Sequence, residues 1–182
     1  MSTMGYQCNK DSIFKAIKLC EQAIKADSLC DGAYSTEASM FIQLREYRNA
    51  IDILNKYDKI SNCNITMTIL KGYLYEKIGS QDTANIIYKS CLLRYDSRIK
   101  DDPTNSLLEI NRIFLLFFTD GDSKAKEEYI KLKEKYPNDK LIQSIKQEVD
   151  SFDRKEMIET ITAGCDAAAA ALGNVPSGAS VP

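Results

Sequence analysis

Six cysteines, 26 carboxylates and no histidine define the chemistry open to this chain of 182 residues. The cysteines are Cys8, Cys20, Cys30, Cys63, Cys91 and Cys165, with no C-x-x-C pair among them. A zinc site needs convergent thiolate or imidazole ligands; without imidazole, four scattered cysteines would have to meet. The even count permits disulfides, but the spacings are irregular. Cys20 and Cys91 fall on apolar helix stripes, where cysteine behaves as a small hydrophobe. Reduced thiols in a cytoplasmic protein are the expectation. The lack of histidine removes the Ser-His and Cys-His nucleophile arrangements. Neither G-x-x-x-x-G-K-[ST] nor G-x-G-x-x-G occurs. The pairs Asp101-Asp102 and Glu127-Glu128 have the residue type for acid-base work, yet they read as solvated charge in a loop and on a helix exterior. Asp120-Gly121-Asp122 lacks the spaced ligands and closing glutamate of a calcium loop. The expectation is a protein that is not an enzyme and that needs no cofactor or metal.

Composition points to a single globular domain of ordinary make-up, 44% apolar and 27% charged. With 24 basic and 26 acidic residues the formal net charge is −2. That balance argues against nucleic acid as a partner, because such binding needs a concentrated basic surface. No run approaches the roughly 18 apolar residues of a membrane helix. The first ten residues lack the basic flank and apolar run of a signal peptide. Had a leader been removed from a longer parent, Cys8 would be the lipid-bearing first residue of a bacterial lipoprotein, in the envelope or periplasm. The Gly5-Tyr6-Gln7 ahead of it does not look like the small-residue lipobox.

The elements that must position any site repeat along the chain. AIKLCEQAIKADS, YSTEASMFIQLREYRNAIDILNKYDK and LKGYLYEKIGSQDTANIIYKSCLLRYDS align on Ala16, Ala50 and Ala84, two intervals of 34 residues. A fourth segment, INRIFLLFFTDGDSKAKEEYIKLKEKYPND, aligns on Ala125, seven residues late. The excess is expected in RIKDDPTN, around Pro103, as a longer loop or an extended helix end. Asp11 or Ser12 is positioned to cap a first helix running to about Ala26. Asn138 or Asp139 is positioned to cap a closing helix over 139–152, with Leu141, Ile142, Ile145, Val149 and Phe152 at helical spacing and a break near Asp153. An Ala-rich helix over 153–173 and a flexible tail over 174–182 complete the reading.

A period of 34 with small residues facing large ones resembles the tetratricopeptide repeat. Each such repeat is two antiparallel helices, which approach closely only where one side chain is small. The matching positions are Ala38 and Phe41 against Ala50 and Leu54, with Tyr47 opening the second helix. In the third segment they are Gly72 and Tyr75 against Ala84 and Tyr88, with Gly79 in the turn. In the fourth they are Ile113 and Leu116 against Ala125 and Tyr129, with Gly121 in the turn and Pro137 as closing proline. Ile113 departs from the pattern, which has a small residue there. The resemblance covers about residues 11 to 138. It implies an all-α fold, a right-handed superhelical array of antiparallel helix pairs (a TPR-like solenoid) within a domain of residues 1–152. Its units are about 11–29, 33–62, 66–96 and 106–137, followed by the closing helix.

The resemblance also implies a concave groove lined by the first helices. Its positions carry over to Ser35, Ser39, Ile42 and Gln43, then Thr68, Tyr73, Glu76 and Lys77, then Ile110, Phe114, Phe117 and Phe118. Of these, Ser39, Gln43, Tyr73, Glu76, Lys77, Ile110, Phe114 and Phe117 are the candidate partner-binding residues. Exposed phenylalanines would form a docking site; alternatively the C-terminal helix folds across and buries them, since RIFLLFF is apolar nearly all round. Serine, threonine and tyrosine stand where some relatives clamp a chaperone tail with lysine and asparagine, so no such clamp is expected. A first segment with one helix, carrying Phe14, Ile17, Leu19, Cys20 and Ile24, suggests self-association as a homodimer or a partner docked at the N-terminal end. The implied function is an adaptor or scaffold that binds a protein or peptide partner. The alternatives are a bacterial immunity protein or secretion chaperone acting in a one-to-one complex, and an envelope lipoprotein of assembly machinery.

Overall fold

The computed structural model describes residues 9–60 and 64–164. Those residues form ten helices and no strand, and the chain divides into two compact units, residues 1–62 with 161–182, and residues 63–160. The single array expected up to residue 152 is thus two units, parted at the polar stretch Lys59 to Asn64.

The first unit holds α1 (Lys10–Ala26), α2 (Asp31–Gln43) and α3 (Tyr47–Asp58), packed in sequence order. Asn9, two residues before the expected Asp11, caps α1 by accepting from the Ser12 N–H at 3.2 Å. Ala38 and Ala50 are fully buried, and Leu54 is buried with them. Two small residues let α2 and α3 approach closely.

The second unit holds α4 (Ile65–Lys77), α5 (Gln81–Asp101), α6 (Ser106–Thr119), α7 (Asp122–Lys135), α8 (Lys140–Ser144), α9 (Lys146–Asp150) and most of α10 (Arg154–Ile161). Each of α4 to α7 packs on the next. Asn64, Asn105 and Asp139 cap α4, α6 and α8 through their side chains. Gly72 is where α4 meets α5: a β-carbon there would lie 2.4 Å from Tyr88 Cε1. Ala84, Ala125, Tyr88, Tyr129, Ile113 and Leu116 are all buried in one core. Gly79 and Gly121 adopt φ of 82° and 88° in the turns before α5 and α7, a region that favours glycine. The equivalent turn of the first unit places Arg45 at φ 61°.

The seven extra residues take the second of the two expected forms, an extended helix end, because α5 runs 21 residues where α3 runs 12. One expectation is corrected in detail. The closing helix over 139–152 is two five-residue pieces that meet at Ile145. Ser144 donates its hydroxyl to Leu141 O at 2.8 Å, and Gln143 donates to Pro137 O at 2.7 Å. Such local bonds compete with the helical ladder, while Ile142 and Val149 are fully buried and hold both pieces to the core. The chain does break before Asp153, whose carboxylate then accepts from Glu156 N–H as a cap. The helix expected over 153–173 ends at Ile161, and Thr162 to Gly164 are not helical; residues 165–173, the tail, and Cys8, Cys63 and Cys165 lie outside the described residues. Cys20 and Cys91 are buried, and Cys30 is half-buried.

Candidate functional site

The last turns of α4 present Tyr73, Glu76 and Lys77 at positions i, i+3 and i+4, and so on one face. All three engage the rest of the second unit. Arg154 donates to both oxygens of Glu76, Nε to Oε1 and Nη2 to Oε2, each at 2.8 Å. Tyr88 donates its hydroxyl to Oε2 at 3.1 Å. Paired forks of this kind are among the stronger hydrogen bonds of proteins. Burial pushes the Glu76 carboxyl up, but the hydrogen bonds and charge of Arg154 outweigh it and hold the group below its ordinary value. The hydrogen bond to Glu76 raises Arg154 in turn. Burial, then the Glu76 charge, pushes the Tyr88 hydroxyl far up, and burial does the same to Tyr73. Glu76 is therefore an ionised anchor, already engaged, rather than a proton carrier. Lys77 pairs with Glu159 at 2.5 Å.

The same face is aromatic. Tyr73 lies 5.1 Å from Phe118 and 5.8 Å from Tyr88, centroid to centroid. Phe152 stacks on Phe117 at 4.0 Å and meets Phe118 edge-on at 5.6 Å. The Arg154 guanidinium sits 5.1 Å over the Phe118 ring and donates to the Phe118 carbonyl. The segment from Phe152 through α10 therefore covers the aromatic face of α4 and α6.

Five of the eight candidate residues come together around this segment: Tyr73, Glu76, Lys77, Phe114 and Phe117. Ile110 and Phe117 are buried, 4% and 3% exposed, and are core, not groove wall. The physical reason is the near-continuous apolar surface of α6, which the chain covers with its own Phe152, Val149 and Ile158. Phe118, also expected in the groove, is buried, and Ile42 is core of the first unit. Thr68 is bonded by Arg94 at 3.1 Å. Ser39 is exposed and Gln43 half-buried on α2, in the first unit. Phe114 is half-buried, 6.3 Å from Phe152.

Three clefts flank the covering segment. One, of about 360 Å³, is lined by the paired charges Glu76, Lys77, Arg154 and Glu159. A second, of about 410 Å³, is polar and includes Gln81, Asn85 and Thr119. The third, of about 320 Å³, is mainly apolar, with Phe114, Phe152 and Met157 in its wall and Glu148, Asp153 and Glu156 beside them. Sequence reading missed Arg154, Met157 and the two glutamates. Nothing in SFDRKE marks an arginine that reaches Glu76 across 78 positions. Phe152 was legible only as a helical-spacing position.

Among the described residues no cluster of three cysteine, aspartate or glutamate side chains is arranged to hold a metal ion, and no helix is long and apolar enough to cross a membrane. No family model matches the chain, and no curated protein matches it.

Proposed function

We propose that this protein is a protein-protein interaction module of the tetratricopeptide-like kind, an adaptor that binds a peptide or protein partner on the α4–α6 side of its second unit. The observation that carries the reading is the open apolar pocket at Phe114, Phe152 and Met157. Concave apolar sites with a few polar groups at the edge are where ligands dock, and aromatic anchors dominate docking energy. What the α4–α6 face does to its own chain supports the same reading: it grips a helical segment with an ion fork, a second ion pair and stacked rings. The free thiols Cys20 and Cys30 fit a cytoplasmic setting.

Affinity capture from the source cells tests this, comparing the intact chain with Phe114→Ala. Phe114 is half-buried, so circular dichroism must show the variant folded. A protein held by the intact chain and lost by the variant supports the reading; no captured protein sinks it. A tight one-to-one complex with a toxin or effector would make the protein a neutralising partner. Self-association is a separate part of the proposal, resting on α1, where Phe14 is 46% and Leu19 66% exposed. Sedimentation of the intact chain against Phe14→Ser, Leu19→Ser should show a dimer only for the former.

A further inference from the structure

We infer that the pocket formed by α6, α9 and α10 receives a basic, amphipathic segment of another protein. One large apolar side chain enters the pocket, and lysine or arginine beside it pairs with Glu148 and Glu156. This rests on the reading of the chain as an interaction module and adds the chemistry of the partner.

The pocket holds about 320 Å³, at the small end of ligand sites of roughly 300–1,000 Å³. That suits a single side chain rather than a cofactor. Its wall is built from three half-buried residues: Phe114, Phe152 and Met157. Phe152 is fixed by stacking on Phe117. Met157 is unbranched and polarizable, and adapts to differently shaped guests. The wall is thus rigid on its aromatic side and adjustable on the other.

Charge decides the class of occupant. Glu148, Asp153 and Glu156 line the pocket, and no basic residue does. Asp153 is partly committed, because it caps α10 through the Glu156 N–H at 2.8 Å. Glu148 and Glu156 are exposed and free to meet a cation. The neighbouring cleft has the opposite balance: Glu76 is taken by Arg154 and Lys77 by Glu159, and Lys155 adds a further positive charge. Complementary potential across an interface sets specificity and speeds encounter. A basic guest is favoured, and an acidic one would meet three carboxylates without a counterion. Residues 1–8 and 165–182 contain no lysine or arginine and do not supply such a guest. The occupant assigned is a segment of another protein, and a second copy of this chain is an outcome of the test.

The test titrates the full-length chain into a fluorophore-labelled amphipathic peptide of leucine and lysine, followed by anisotropy. Two comparison peptides carry glutamate for lysine or serine for leucine. The leucine-lysine peptide should bind, and each comparison peptide should bind at least about tenfold more weakly. Glu148→Gln, Glu156→Gln should weaken binding about tenfold with an unchanged thermal melt. Thr160→Trp alters only an exposed residue at the pocket and should block entry. Equal binding of the acidic peptide overturns the inference, as do unchanged affinities in both variants or no binding of the basic peptide. A dimer of the chain that Thr160→Trp disperses also overturns it, since a second copy would then be the occupant. Failure here with a protein still captured from cells removes the assigned chemistry alone; failure of capture removes the interaction reading beneath it.

Discussion

Two glutamates on corresponding first helices are buried in opposite ways. Glu37, on α2 of the first unit, is only 3% exposed. Burial pushes its carboxyl above the ordinary value, the nearby Glu21 adds to this, and Lys56 offsets it only in part. Glu76, on α4 of the second unit, receives two hydrogen bonds from Arg154 and one from Tyr88, and is held below its ordinary value. The same residue type is thus a penalty in one unit and a fastener in the other. The difference lies in a guanidinium fork delivered from 78 residues away, not in burial itself.

The largest effects should come from removing the fork. Arg154→Ala leaves Glu76 half-buried without its cation and should cost about 2–3 kcal/mol in urea unfolding. Arg154 is about a third exposed, which keeps the figure below that of a fully buried pair. If Arg154→Ala and Glu76→Ala together cost as much as the sum of the single changes, the fork is not a coupled unit and the comparison breaks. Gly72→Ala should cost about 2 kcal/mol, although alanine normally favours a helix by about 1 kcal/mol. The added β-carbon would meet a Tyr88 ring held at its hydroxyl by Glu76. Denaturation of this variant with and without Tyr88→Phe reads that restraint.

Smaller changes should appear in the first unit. Glu37→Gln should stabilise it by about 1 kcal/mol near neutral pH, read as slower amide exchange in α2. The pH dependence sharpens the contrast. The Glu37 value is raised in the folded state, so acidification toward the ordinary 4.5 lets the folded state bind its proton first and relieves the penalty. The Glu76 value is lowered, so its stabilisation is present above 4.5 and lost as pH falls through the depressed folded value. Between pH 7 and 5, protection in α2 should rise while that in α4 holds; parallel changes would refute the assignment. The smallest effect is at the turn. Arg45→Gly relieves a left-handed arginine at φ 61° and should gain at most about 1 kcal/mol in thermal denaturation, less whatever the side chain gains by packing on Gly164.

The helix pairs were legible because small residues at fixed intervals are a local, periodic signal. Ala50, Ala84 and Ala125 are all fully buried, and Gly79 and Gly121 occupy the turns. The cap of α1 was misplaced by two residues because Asn9, Asp11 and Ser12 are all competent caps. The site was legible in half. Tyr73, Glu76 and Lys77 share a face, as helical spacing dictates, but their partners have no periodic signature. A run such as RIFLLFF says that α6 must be covered, not what covers it, and so Ile110 and Phe117 read equally well as wall or core. The split between the two units was not legible, since the interval of 34 runs through it unchanged from Ala50 to Ala84.

Within the second unit α4 to α7 each meet their immediate successor, and contacts of that kind form quickly as a chain collapses. The fork from Arg154 to Glu76 closes nearly the whole unit end to end. It cannot form during synthesis until residue 154 has emerged, and until then Phe117 and Phe118 lack Phe152. The order of folding is thereby set: helices first, cover last, with a sticky aromatic face presented in between. A chain stopped before Phe152 should retain its helices and aggregate.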